Sequence, residues 1–187
     1  MSEAQIALDA LTDPELPPTE WEFARAVVLV AKHASISIAA AESLTGGLLS
    51  SLITSVPGSS SVFQGGVVAY SNSTKQNVLG IDEQLIASGV VSTEVALAMA
   101  TNVTQLLGAT IGLACTGVAG PDGQDGRPVG EVHIAVFDSQ TKSSRTQTMK
   151  FTGSRDDIRS QTCLALLGLS LDVMLPKTDL SRTRLAD

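Results

Sequence analysis

Three short polar segments hold the side chains able to do chemistry in this chain of 187 residues. Ser43 stands in Glu42-Ser43-Leu44-Thr45-Gly46-Gly47, where an apolar run of strand length stops and a helix is expected to start. Backbone N–H groups at a helix start point outward and can hold an oxyanion or a phosphate, and glycines let a ligand approach the backbone. Ser43 is therefore either a nucleophile or, like Thr45, an ordinary N-cap. A serine nucleophile needs a base. His33 and His133 both lie in apolar-patterned elements rather than glycine loops, whereas a lysine serves once burial lowers its pKa. Lys75 follows the second segment, which begins at Tyr70, and is either that base or a solvated helix lysine. Tyr70, the only tyrosine, ends a strand and reads equally as core edge or functional group. The third segment is Thr116-Gly117-Val118-Ala119-Gly120-Pro121-Asp122-Gly123. Arg155 and Arg159, one helical turn apart, either contact a phosphate or carboxamide or pair with Asp156 and Asp157.

Several chemistries are excluded by pattern. The sequence has no G-x-x-x-x-G-K-[ST], which argues against a P-loop ATPase, and no G-x-S-x-G elbow. The glycines at 117, 120 and 123 are spaced in threes and do not fit the dinucleotide turn. Without a Cys-x-x-Cys or a His pair at ligand spacing, no metal site is expected. Cys115 and Cys163, both in apolar runs, read as buried free thiols.

The elements that must bring these segments together alternate in type. Apolar runs over residues 36–41, 66–71 and 110–115 predict buried strands, and the alternating stretches 130–137 and 144–151 predict an antiparallel pair. Helices are predicted from Thr19 towards His33, over 45–55, in a short stretch bearing Lys75, over 81–88, over 92–107, and from Asp156 to about 175, where Pro176 stops the last. The expectation is an α/β fold, a three-layer α/β/α sandwich on a mixed, largely parallel sheet. Ligands bind such sheets at the carboxyl ends of parallel strands, where all three polar segments fall.

Composition narrows the partners. The 12 Lys and Arg against 19 Asp and Glu leave a net charge of -7, and only 3% of residues are aromatic, which argues against nucleic acid as a partner. The charge is uneven: residues 1–22 hold six acids and no base, and the remainder nets -1. Residues 1–18, ending in Pro17-Pro18, are expected to form an acidic mobile leader or short helix before a domain at 19–176, with a polar tail at 177–187. The leader lacks the basic and apolar regions of a signal peptide, and the longest apolar stretches are too short to span a bilayer. A soluble cytoplasmic protein without a membrane partner is expected.

Taken together, Ala41-Glu42-Ser43-Leu44-Thr45-Gly46-Gly47, Pro57-Gly58-Ser59-Ser60, Gly66-Val67-Val68-Ala69-Tyr70-Ser71-Asn72 with Lys75, the 116–123 loop and Arg127-Pro128-Val129-Gly130 resemble the CinA C-terminal-domain family over roughly residues 20–175. That family includes the nicotinamide-nucleotide amidases of bacteria. The resemblance implies hydrolysis of nicotinamide mononucleotide to nicotinic acid mononucleotide and ammonia in pyridine nucleotide salvage. It implies a homo-oligomer and a serine amidase that uses neither metal nor cofactor.

Carried over by motif, the nucleophile falls on Ser43, the lysine on Lys75 and the tyrosine on Tyr70. Substrate-binding positions fall on Glu42, Thr45, Gly46, Gly47, Thr116, Gly117 and Gly120, with Arg159 a better fit than Arg155 to the arginine of the last helix. The N–H groups around residues 45–47 would hold the oxyanion. Two departures stand out. The nucleotide-pyrophosphatase domain of full-length CinA proteins has no counterpart here, so a stand-alone form is expected. Asp122 and Asp125 would repel a phosphate, so they are expected to point outward. The alternatives are a catalytically silent nucleotide-binding or regulatory module, and an amidase acting on another small carboxamide.

Overall fold

A computed structural model describes residues 1–13 and 18–180. Five strands form one sheet in the order β2-β1-β3-β4-β5: β1 (Ile38–Glu42), β2 (Phe63–Val68), β3 (Ile111–Gly117), β4 (Glu131–Asp138) and β5 (Ser143–Lys150). β1 runs parallel to β2 and β3, while β3–β4 and β4–β5 are antiparallel. The sheet is mixed as expected, with two of its four pairings parallel.

Alternation along the strands decides what each face packs. Ile38 and Ala40 of β1, Ile111, Leu113 and Cys115 of β3, and Val132, Ile134 and Val136 of β4 join one core with α1 (Glu3–Ala10), α2 (Glu20–His33), α3 (Leu48–Thr54) and α7 (Arg155–Met174). The intervening Ala39, Ala41, Ala114 and Ala135 face α6 (Thr93–Leu107). Small residues on that face let α6 lie close. A Cβ built on Gly112 would come within 2.0 Å of the Ala100 carbonyl oxygen. Two short helices, α4 (Asn72–Asn77) and α5 (Glu83–Ala87), precede α6.

Local chemistry sets the boundaries. Thr19 and Glu22 form a capping box on α2, Ser154 and Asp157 form one on α7, and Ser92 caps α6. The helix expected from residue 45 begins instead at Leu48, because Gly46 and Gly47 take left-handed backbone angles (φ 60° and 99°) that no α-helix continues. β2 starts three residues before the expected strand. It lies at the sheet edge, with burial alternating rather than continuous.

Of the two readings of the leader, the short helix is the one seen: residues 3–10 form α1, and its Ala4, Ala7 and Leu8 are buried in the core rather than lying apart from the domain. Of the expected polar tail, Lys177 pairs with buried Asp138 at 2.5 Å and Asp179 meets His33 at 2.7 Å; residues 181–187 lie outside the described residues. The stretch 155–177 is the one described helix long and apolar enough to cross a membrane. Half of its apolar 18-residue span is buried in this fold.

Candidate active site

Because β1, β2 and β3 are parallel, their carboxyl ends lie at one edge of the sheet, and the segments after them meet there. β5, twice reversed relative to β3, ends at the same edge and delivers the start of α7. The result is a cleft of about 120 Å³ lined by Ser43, Leu44, Tyr70, Lys75, Thr116 and Gly120, with Val90, Val91, Asp122, Gln124 and Arg155 among its other walls.

Ser43 follows β1 directly and is 9% exposed. Lys75 reaches it from α4. Ser71 caps that helix by accepting from the Thr74 N–H, and the turn so begun aims Lys75 inward, where it is 1% exposed. Its Nζ donates to Ser43 Oγ at 3.0 Å and to the Ala69 carbonyl at 2.8 Å. Burial holds the Lys75 pKa below its ordinary 10.5, and no carboxylate pairs with it among the described residues. The solvated-lysine reading is thereby ruled out. A neutral amine beside a serine hydroxyl can take the hydroxyl proton.

Cys115, one strand over, is a neutral thiol whose pKa burial pushes up to about 11. Its Sγ lies 3.1 Å from the Thr45 hydroxyl. Cys163 is likewise buried and its pKa raised by burial.

Tyr70 stands at the cleft mouth, 59% exposed, and its hydroxyl accepts from Arg155 Nη2 at 2.7 Å rather than from Lys75. Arg155 also donates Nη1 to the Gly120 carbonyl at 2.7 Å, spanning the mouth from α7 to the 116–123 loop. The neighbouring carboxylates are engaged elsewhere, Asp156 with Arg159 and Asp157 with the Ser154 cap. The Arg155 guanidinium therefore has only neutral acceptors among the described residues.

Arg159 does not reach the cleft. It grips the Thr45 carbonyl from behind, with Nη2 at 2.8 Å and Nε at 3.3 Å, because it sits a turn further down α7. Of the two arginines, it is Arg155 that lines the cleft.

Two of the expected oxyanion donors are committed inside the protein: the Gly46 N–H donates to the Ser43 carbonyl and the Gly47 N–H to the Glu42 carboxylate. Glu42, Thr45, Gly46 and Gly47 thus lie behind Ser43 and not on the cleft. The N–H of Leu44 has no acceptor among the described residues and belongs to the residue after the serine.

On the opposite wall the Thr116 hydroxyl donates to the Val90 carbonyl at 2.8 Å, which ties β3 to the segment before α6. Gly117 is packed so closely that an added Cβ would meet the Glu131 carbonyl oxygen at 2.7 Å. Asp122 lines the cleft instead of pointing outward, whereas Asp125 is not among the lining residues. Val90 and Val91 carried no sequence signal, since an apolar pair before a helix reads as core.

The CinA C-terminal domain family matches residues 21–174. A CinA-like protein of Frankia casuarinae is 42% identical over 152 residues, 80% of this chain and 35% of that protein. A CinA-like protein of Citrifermentans bemidjiense is 42% identical over 143 residues, 75% of this chain and 34% of that protein. The chain thus spans about a third of the length of these curated relatives. Among solved structures, the competence/damage inducible protein CihA of Agrobacterium tumefaciens superposes with a TM-score of 0.80 at 31% identity, over 86% of this chain and 98% of that one. A CinA superfamily protein of Klebsiella pneumoniae gives 0.79 at 29%, over 85% and 99%.

Proposed function

Since the chain belongs to the CinA C-terminal domain family, we propose that it is an amidohydrolase converting nicotinamide mononucleotide to nicotinic acid mononucleotide and ammonia. The observation that carries the reading is the buried contact of 3.0 Å between Lys75 Nζ and Ser43 Oγ on the wall of a cleft. A structural lysine would be solvated or paired with a carboxylate. This one has neutral acceptors only and a pKa lowered by burial, the combination that activates a hydroxyl.

In this reading neutral Lys75 takes the Ser43 proton as Oγ attacks the carboxamide carbon. The Leu44 N–H faces the developing oxyanion, a contribution of about 3–4 kcal/mol per well-placed donor. Protonated Lys75 then gives its proton to the departing amine, which leaves as ammonia, and water hydrolyses the acyl-enzyme. In this reading the carboxamide meets Ser43 and Lys75 inside the cleft, and the phosphate lies beside Arg155, whose fork suits it. Tyr70 holds Arg155 in place there. The substrate is a small nucleotide and no cofactor takes part; a cytoplasmic homo-oligomer is the setting this reading carries with it.

The test is ammonia release from nicotinamide mononucleotide, nicotinamide riboside and nicotinamide by the wild type and Ser43→Ala. The wild type should release ammonia from the mononucleotide, and the variant should lose at least about 10³-fold while keeping its circular dichroism spectrum. Release from none of the three by the wild type would favour a silent binding module, and an active Ser43→Ala would remove Ser43 from the mechanism.

A further inference from the structure

Glu42, the last residue of β1, is completely buried and does not line the cleft. Its Oε2 accepts from the Thr45 hydroxyl at 2.7 Å and from the N–H groups of Gly47 and Leu49 at 3.0 and 3.1 Å. Its Oε1 accepts from the Ser50 N–H at 2.8 Å and the Ser50 hydroxyl at 2.6 Å. Three of the five partners are backbone N–H groups, which can only donate, and no cation pairs with Glu42 among the described residues. A buried charge without a counter-ion persists only where donors converge on it, and these five do.

The consequence falls on the residue between Glu42 and the donors. Ser43 is held by its own N–H on the Cys115 carbonyl and by its carbonyl on the Gly46 N–H, both at 3.1 Å. Thr45, which closes the turn, has one hydroxyl hydrogen and gives it to Glu42. The Cys115 thiol must therefore be the donor in its contact of 3.1 Å with Thr45, so a directed chain runs from β3 through Thr45 to Glu42.

We propose that Glu42 is a positioning residue, an internal anion that clasps the start of α3 and so holds the Ser43 turn with its hydroxyl against Lys75. The inference rests on the reading of Ser43 as a nucleophile. It also means that a substrate phosphate is not held at the start of α3, because Glu42 already occupies those N–H groups.

The test follows Ser43 itself: its rate of labelling by a fluorophosphonate, read by intact mass as a function of pH. In Glu42→Gln the new amide N–H groups oppose backbone N–H groups. Labelling should slow about 10- to 100-fold, the effect of displacing a reacting group by about 1 Å. The half-maximal pH should stay unchanged because Lys75 is untouched. A folded Glu42→Gln that labels within about twofold of wild type overturns the proposal, as does a moved half-maximal pH. If Glu42→Gln does not fold, Ser50→Ala removes one donor and should slow labelling several-fold; no change there overturns the proposal. Failure of the amidase reading is separate, since a wild type that labels at Ser43 but releases no ammonia overturns only that reading. An unlabelled wild-type Ser43 overturns both.

Discussion

If Lys75 is the base proposed above, it is the residue at which function opposes stability. An ammonium taken out of water is disfavoured, so the folded chain holds the Lys75 pKa below 10.5 and the unfolded chain does not. Between those two values the unfolded state binds more protons, so stability rises with pH across that window and is lower below it. The same shift raises the neutral fraction that can act as base. Lys75→Met should therefore lose about 10²–10⁴-fold in ammonia release. It should also flatten the rise of stability with alkaline pH, as read by urea denaturation at a series of pH values. An unchanged slope would mean that Lys75 is not the buried titrating group.

The Ser43–Lys75 pair was legible at this scale because motif order placed both residues. The distinction between Arg155 and Arg159 was not. Two arginines four apart share a helix face, and one turn of rise decides which reaches the cleft and which grips the Thr45 carbonyl.

At the scale of elements, the site exists because three parallel strands end together, and their alignment depends on how closely α6 sits on the sheet. Ala39, Ala41, Gly112, Ala114 and Ala135 leave no side-chain bulk beneath that helix. Gly112→Ala would place a methyl against the Ala100 carbonyl and beside Thr104. It should cost about 1–3 kcal/mol of unfolding free energy, measured by urea denaturation, with activity falling as α6 is pushed from the sheet. A neutral substitution would mean that α6 adjusts freely. The strands were readable from their apolar runs. The helix start was not, because the sequence shows two glycines but not the left-handed angles that delay α3 to Leu48.

For the molecule as a whole, the net charge of -7 belongs largely to residues 1–22, and the structure gives several of those acids local work. Glu3 lies in the first turn of α1, and Glu20 and Glu22 in that of α2, where carboxylates complement the positive helix end. α1 itself covers part of the core through Leu8 and is followed by buried Leu11. No residue of α1 or α2 lines the cleft. Removing residues 1–12 should therefore cost about 1–3 kcal/mol, the burial of those leucines less the ordering entropy of the helix, while ammonia release per folded molecule stays at the wild-type level. Loss of activity in a stably folded truncated chain would give α1 a role in the site.

Sequence alone determined the order of apolar and polar blocks, and with it the fold class, the family and the residues offered to chemistry. Those follow from side-chain type and spacing, which are local quantities. Only the tertiary structure decided which of those groups remain free. An N–H already given to one partner is not free for a ligand: Glu42 takes the donors at the start of α3 and the Ser43 carbonyl takes the Gly46 N–H, while Arg159 is spent on the Thr45 carbonyl. Ser43, Lys75 and Arg155 stay on the cleft wall, with Tyr70 and Asp122 beside them, and that arrangement depends on partners brought from distant parts of the chain.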